Sequence, residues 1–145
     1  MDILINDICF TADFHSLALS EISSVLERGE NVAIACSGGA DSVFALFAML
    51  DIFKAHRHQI KVLHYNHKTR QSAYADENFV RELCNNLKIE AFFGIADSEP
   101  VRKTEAEFRK MRYGFFSELY VRKNIGVIVQ GHHWGDCAES VLMRL

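Results

Sequence analysis

The chain alternates between short, unbroken apolar runs and longer segments with helical periodicity, and this alternation leaves few folds open. Four apolar runs of strand length predict β-strands at 32–36, 59–65, 90–95 and 126–130. Helical patterns precede, separate and follow them, at 14–28, 43–53, 79–87, from 104 onward, and over 136–145. Buried strands that alternate with helices indicate a parallel sheet covered by helices on both faces. We therefore predict an α/β fold of this kind.

Local signals mark individual helices. Thr104 followed by Glu107 forms a capping box, and the helix it opens has an inner stripe of four apolar residues: Phe108, Met111, Phe115 and Leu119. Gly29 is a predicted helix C-cap. A last helix is expected to begin at Asp136 and to continue to Leu145.

The composition indicates one domain of ordinary size, spanning residues 1–145. The chain has 145 residues, of which 49% are hydrophobic and 24% charged, and a net charge of −3. No secretory signal or membrane-spanning run is evident, and the four cysteines form no CxxC pair. We expect a cytoplasmic protein with free thiols and no membrane partner.

The segment "SGGADS", Ser37 to Ser42, lies between the first predicted strand and the helix after it. Two interpretations are open. It is either a glycine turn with Asp41 or Ser42 as helix N-cap, or a loop that holds a phosphate on backbone N–H groups. The segment is neither a Walker A motif nor GxGxxG. In parallel sheets, ligands bind beyond the carboxyl ends of the strands, so the other strand ends help to decide.

Polar residues also follow the second and fourth predicted strands. The second is followed by a crowded group: His64, Asn66, His67, Lys68 and Arg70. The fourth is followed by another: His132, His133, Asp136 and Glu139. The carboxylates of this second group are compatible with three roles: stabilising the start of a helix, binding zinc, or binding magnesium opposite a phosphate loop. The third role explains the Ser37–Ser42 loop best.

One arginine on the helix that begins near Thr104 is also a candidate site residue. Arg112 directly follows Met111 of the inner stripe, so it borders the core. A bordering arginine is placed to meet a phosphate or carboxylate, with Tyr113 in the same pocket.

Together these motifs resemble a known family. "SGGADS" is similar to the SGGxDS signature of the PP-loop ATP pyrophosphatases, whose fold is a Rossmann-like sheet of the adenine nucleotide α-hydrolase type. "VLHYNHKTR", "EAEFRKMRYGFF" and "GHHWGDCAESVLMRL" resemble, in order and spacing, the tRNA(Ile)-lysidine synthase family. The resemblance runs from about Asn31 to Leu145.

The resemblance implies a two-step ligation. ATP adenylates the wobble cytidine of tRNA(Ile) with a CAU anticodon, and L-lysine then displaces AMP to form lysidine, which changes the codon read from AUG to AUA. The implied ATP-binding residues are the loop and one histidine: Ser37, Gly38, Gly39, Ala40, Asp41, Ser42 and His64. The implied catalytic residues are Asp41, Arg112, His133, Asp136 and Glu139. Mg²⁺ is assigned to Asp41 and Asp136.

The chain departs from the family pattern in two ways. Gly135, Cys137 and Ser140 stand where the family usually has aspartate, glutamine and threonine. The chain also stops where the family continues into more of the catalytic domain and into tRNA-binding domains, so we expect an incomplete N-terminal catalytic domain. Alternatives are a thiolase-type PP-loop enzyme or an inactive ATP-binding fragment, and a homodimer is a possible assembly.

Overall fold

A computed structural model describes residues 12–68, 72–96, 104–130 and 141–143. The elements in chain order are α1 (Ala12–Glu27), β1 (Asn31–Ala35), α2 (Ala40–Ile52), a 3₁₀ segment (Lys54–Gln59), β2 (Ile60–Asn66), α3 (Ser72–Leu87), β3 (Ala91–Ile95), α4 (Glu105–Arg122), β4 (Ile125–Gln130) and β5 (Val141–Met143). The alternation predicted from the sequence is confirmed from α1 to β4, and each of the four predicted strands is shifted by one residue or less at either end.

The described strands form one sheet in the order β3-β2-β1-β4-β5. The first four are parallel to one another. The chain steps outward from β1 to β3, and α4 then carries it back across the sheet to β4. The strand order therefore switches between β1 and β4, which is where ligands bind in open α/β sheets.

Helices cover both faces of the sheet, as predicted. On one face α1, α2 and α3 pack on the strands through a cluster that includes Ile22, Val25, Leu46, Met49, Val80 and Cys84. On the other face α4 packs through Phe116 and Leu119 against Leu63, Ile125 and Ile128. No helix in the described ranges is both long enough and apolar enough to cross a membrane.

The predicted caps at two helix ends are confirmed. The hydroxyl of Thr104 accepts a hydrogen bond from the Glu107 backbone N–H at 3.2 Å, and α4 begins at the next residue. At the end of α1, Gly29 has a φ of +80°, a left-handed conformation that glycine adopts without strain. The backbone N–H groups of Gly29 and Glu30 return to carbonyls of the last helical turn.

The prediction of a last helix over Asp136–Leu145 is wrong at residues 141–143. Val141–Met143 instead forms β5, which pairs antiparallel with β4. The reason lies in the neighbouring strand. All six residues of β4 are buried, and one edge of β4 would leave backbone groups without partners. The three consecutive apolar residues of Val141–Met143 supply partners for these backbone groups by forming an edge strand. The predicted helix residues 136–140, 144 and 145 lie outside the described residues.

Gly94, in the middle of β3, has no room for a side chain. A Cβ atom placed there would lie 2.7 Å from ring carbons of both Phe115 and Tyr65. These two rings pack on each other, with centroids 5.5 Å apart. Gly94 therefore permits α4 to approach β2 and β3 closely, as glycine inside a strand often does.

We expect Gly94→Ala to lower the free energy of unfolding by about 1–3 kcal/mol, because two packed rings must move. The matched control is Gly114→Ala on α4, where a Cβ atom meets nothing within 4 Å. That change should raise stability by about 0.5–1 kcal/mol, since alanine favours a helix more than glycine does. Urea unfolding measures both, and a Gly94→Ala protein as stable as the parent would refute the close approach.

Candidate functional site

The loop after β1 leads directly into α2, whose N-cap residue is a glycine and makes no side-chain capping bond within the described part of the chain. Gly39 is the N-cap residue, with extended backbone angles and no side-chain hydrogen bond. The interpretation of the loop as a turn capped by Asp41 or Ser42 is therefore wrong. Without a side-chain cap, the first backbone N–H groups of α2 and the positive end of its dipole are available to an anion.

Ser42 holds the loop in shape from inside. Its side chain is buried, and its hydroxyl oxygen accepts a hydrogen bond from the Ser37 N–H at 3.1 Å. The same hydroxyl donates to the Gly39 carbonyl at 3.0 Å. Because a serine hydroxyl has one hydrogen, the donor is already engaged in this geometry. Ser42 thus positions the loop, and its predicted role as a direct phosphate donor stays a prediction.

Gly38 brings the loop against α3. Its φ is +94°, a conformation that side chains other than glycine rarely adopt. A Cβ atom at Gly38 would lie 3.4 Å from the Cβ of Asp76. Asp76 was not identified as a site residue from the sequence. In the sequence it precedes the helical pattern predicted over 79–87, and nothing there marked it as a site residue.

The ends of β1 and β2 meet, as predicted from the sequence. The His64 side chain is buried, and its Nδ1 donates to the Cys36 carbonyl at 2.7 Å, one residue before the loop. Asn66 is also buried and accepts a hydrogen bond from the Lys68 N–H at 2.8 Å. His64 therefore supports the entrance to the loop from the neighbouring strand. Arg70 lies outside the described residues.

Arg112 borders the core, as predicted. It is partly buried in α4, and its Nε atom is buried without a hydrogen-bond partner among the described residues. Its guanidinium carbon lies 5.8 Å from the centre of the Tyr113 ring. A buried guanidinium N–H without a partner suits an anionic ligand. No described contact joins Arg112 to the loop, since α4 and α2 lie on opposite faces of the sheet.

The third predicted cluster falls outside the described residues, including His133, Asp136 and Glu139. Within the described ranges, no three histidine, cysteine or carboxylate side chains are grouped so that they would hold a metal ion. Asp41 is partly buried in the first turn of α2, next to the loop. One such carboxylate, together with nucleotide phosphates, is a coordination pattern that Mg²⁺ accepts.

Two cysteines of the core are free and buried, Cys36 at the end of β1 and Cys84 in α3. Burial raises the pKa of the Cys84 thiol from its ordinary value of 9.0 to about 11, and the nearby Cys36 adds to the effect. The thiolate is the nucleophile, so a thiol with a raised pKa is a poor one at neutral pH. We assign Cys84 to packing.

The raised pKa of Cys84 predicts how stability changes in alkali. Well below pH 9 the thiol is protonated in both the folded and the unfolded state, and its contribution to stability is complete. As pH rises from about 9 to about 11, the unfolded state ionises first, so the free energy of unfolding should fall. Chemical denaturation across this range should show a shallower decline for Cys84→Ala than for the parent. Equal slopes would contradict the assignment.

The sequence of this chain is similar to a known domain family and to curated proteins. Residues 13–145 match the model of the PP-loop domain family. Among curated relatives, a tRNA(Ile)-lysidine synthase of Clostridium perfringens is 34% identical over 128 residues, which are 84% of this chain and 27% of that protein. A tRNA(Ile)-lysidine synthase of Petrotoga mobilis is 33% identical over 83% of this chain and 40% of that protein. The chain thus spans about a quarter to two fifths of their length.

A solved structure shares the fold. The NH3-dependent NAD synthetase of Campylobacter jejuni superposes with a TM-score of 0.55 over 81% of this chain and 56% of that chain. The two sequences are 14% identical. At that identity the likeness concerns the fold alone.

Proposed function

Because the chain belongs to the PP-loop domain family, we propose that it forms the ATP-binding catalytic domain of a tRNA(Ile)-lysidine synthase. The observation that carries the proposal is the loop Ser37–Ser42. It precedes a helix N-terminus without a side-chain cap and lies at the end of β1, beside the switch in strand order. Such a loop presents backbone N–H groups to phosphates. The similarity to two tRNA(Ile)-lysidine synthases supports the choice of reaction.

The proposed reaction has two steps. The C2 carbonyl oxygen of the wobble cytidine, in tRNA(Ile) with a CAU anticodon, attacks the α-phosphorus of ATP, and pyrophosphate leaves. The free amine of L-lysine then attacks C2, AMP leaves with the oxygen, and the amine loses a proton. The loop acts in the first step, because its N–H groups stabilise the negative charge that develops on the leaving pyrophosphate.

Two side chains have proposed roles, Asp41 next to the loop and Arg112 on α4, on the opposite face of the sheet. Asp41 would hold Mg²⁺ together with the phosphates, and the bound ion would supply further stabilisation of charge. The carboxylate is available, because it forms no salt bridge with another described residue. Arg112 would bind a phosphate or the lysine carboxylate through its unpartnered Nε.

The remaining roles rest on the family resemblance. We propose that His133, Asp136 and Glu139 face the adenylated base or the lysine ammonium, with Asp136 as a second magnesium ligand. These residues lie outside the described part of the chain.

The proposal is tested by pyrophosphate release from ATP with and without its two co-substrates. With tRNA(Ile) alone, release should stop after about one equivalent, because the adenylated tRNA has no acceptor. Adding L-lysine should restore turnover, whereas D-lysine or L-ornithine should restore much less. Pyrophosphate release at the same rate with and without lysine would point instead to another PP-loop activity. No pyrophosphate release at all would support an inactive ATP-binding fragment.

A further inference from the structure

Strand β3 ends the sheet and has no partner on its outer side among the described strands. In a parallel ladder a residue turns its N–H and its C=O to the same neighbour, and successive residues alternate. The Val62 N–H donates to the Glu90 carbonyl at 3.1 Å, and the Ala96 N–H donates to the Asn66 carbonyl at 2.9 Å. The even-numbered residues of β3 therefore face β2. The backbone groups that point outward belong to the alternate residues: Ala91, Phe93 and Ile95.

The sequence of β3 does not protect this outer edge. Native sheets guard an edge strand with a charged side chain, a proline, a bulge or a covering element. β3 reads Ala-Phe-Phe-Gly-Ile, without a charge or a proline, and its pairing with β2 is regular. Ile95 at its end is 44% exposed. The outward N–H and C=O groups therefore form a template on which a further strand can pair.

An open groove of about 440 Å³ lies along this edge, between α3 and α4. The Arg81 guanidinium carbon lies 3.9 Å from the centre of the Phe93 ring, and Lys123 Nζ lies 5.1 Å from the centre of the Phe92 ring. The two rings belong to opposite faces of the sheet. A cation therefore flanks the β3 edge on each face. Because these cations cover the rings, a ligand at this edge uses the backbone groups of β3 and not the ring faces.

The charges that line the groove are mainly positive. Three cations, Arg81, Arg122 and Lys123, stand against one carboxylate, Glu118, which pairs with Arg122 at 2.9 Å. Lys123 forms no salt bridge with another described residue. The exposed pair of Arg81 with Glu77, at 3.8 Å, is long and contributes little. The groove therefore favours an anionic occupant.

We propose that the β3 edge binds an extended, acidic polypeptide segment as an additional strand. Its backbone pairs with the outward groups of β3, and its side chains alternate between the two faces. Carboxylates on either face then meet Arg81 or Lys123.

Two other occupants fit this edge less well. A second copy of this chain would bring the same excess of cations to the seam between the two edges. A nucleic acid has no backbone that matches a row of alternating N–H and C=O groups. The edge is also separate from the phosphate loop, since β3 lies two strands away from β1. The inference is therefore independent of the proposed function.

The test uses the whole chain and a labelled seven-residue peptide that alternates glutamate and valine, followed by fluorescence anisotropy. The peptide should bind saturably, with a Kd below about 1 mM. The same peptide with lysine in place of glutamate should bind at least tenfold more weakly, because its charge is reversed. A glutamate–valine peptide with N-methyl groups on alternate residues keeps the charge and loses the donors, so it should also bind at least tenfold more weakly.

Matched variants assign the binding to the β3 edge. Ile95→Pro removes an outward N–H without touching the ladder to β2, and it should weaken binding about tenfold, whereas Ile95→Ala should stay within threefold. Lys123→Glu should weaken binding about tenfold through charge. Its control is Lys110→Glu, an exposed position of α4 outside the groove, which should stay within twofold.

Four results would overturn the inference. They are no saturable binding of the acidic peptide, equal binding of the N-methylated peptide, dimers of the free protein that Ile95→Pro abolishes in sedimentation velocity, and tighter binding of a single-stranded oligonucleotide than of the peptide. The comparison of the two acidic peptides uses the parent protein alone, so a variant that fails to fold leaves it decisive.

Discussion

Replacing Asp41 with alanine is expected to lower the rate of pyrophosphate release about 1,000-fold or more while leaving the fold intact. The carboxylate lies in the first turn of α2, beside the loop, and forms no salt bridge with another described residue. If it holds Mg²⁺ on the phosphates, its loss removes several kcal/mol of charge stabilisation, and about 4 kcal/mol corresponds to a 1,000-fold change. The cost in stability should be about 0.3–1 kcal/mol, the usual effect of a carboxylate near a helix N-terminus.

The matched control for this change is Asp51→Ala. Asp51 lies near the other end of the same helix, where it forms a salt bridge of 3.2 Å with Lys54. Its replacement should leave the rate within twofold. Fixed-time assays at saturating magnesium measure the rate of pyrophosphate release by both variants. If Asp41→Ala retains the parent rate, the assignment of Asp41 to the reaction is wrong.

Replacing Ser42 with alanine should lower the same rate about 100-fold, through the shape of the loop. The change removes the acceptor for the Ser37 N–H and the donor to the Gly39 carbonyl, two bonds that join both ends of the loop. A displacement of about 1 Å near the reacting atoms is enough for an effect of this size. The loss of stability should be modest, about 1–2 kcal/mol, as expected for lost hydrogen bonds.

Ser24→Ala tests whether this effect belongs to the loop. Like Ser42, Ser24 donates a hydrogen bond from its hydroxyl to a backbone carbonyl, that of Ser20, at 3.1 Å. Ser24, however, lies on α1 and not in the loop. Its removal should change neither the rate nor the affinity for ATP. If Ser42→Ala is as active as the parent, then the internal hydrogen bonds of Ser42 do not govern the active geometry of the loop.

The sequence was most informative where structure is set locally. The runs at β1 and β4 are buried on both faces, so their apolar character marked them as strands. The cap at Thr104 was equally predictable, because a span of four residues is enough to form it. Strand β5 was missed for the opposite reason. Its three residues pair with an edge that β4 leaves open, which no local pattern reveals.

Prediction from the sequence was also limited by the orientation of side chains, which depends on how the helices pack. The loop Ser37–Ser42 was identified from its composition, yet the inward hydroxyl of Ser42 and the contact of Gly38 with Asp76 depend on how α2 and α3 pack. His64 was expected to bind the nucleotide, but its burial and its bond to Cys36 appear only in three dimensions. The sequence therefore indicated a candidate site, and packing determines the contacts of its side chains.

Whether this chain carries the catalytic site of a lysidine-forming enzyme is measured most directly by mass spectrometry of tRNA nucleosides. Transcripts of tRNA(Ile) with a CAU anticodon are incubated with the protein, ATP, Mg²⁺ and isotope-labelled L-lysine. We predict one cytidine per tRNA that carries the lysine label, and none when the wobble cytidine is replaced by uridine. Pyrophosphate release with no labelled cytidine would contradict this prediction.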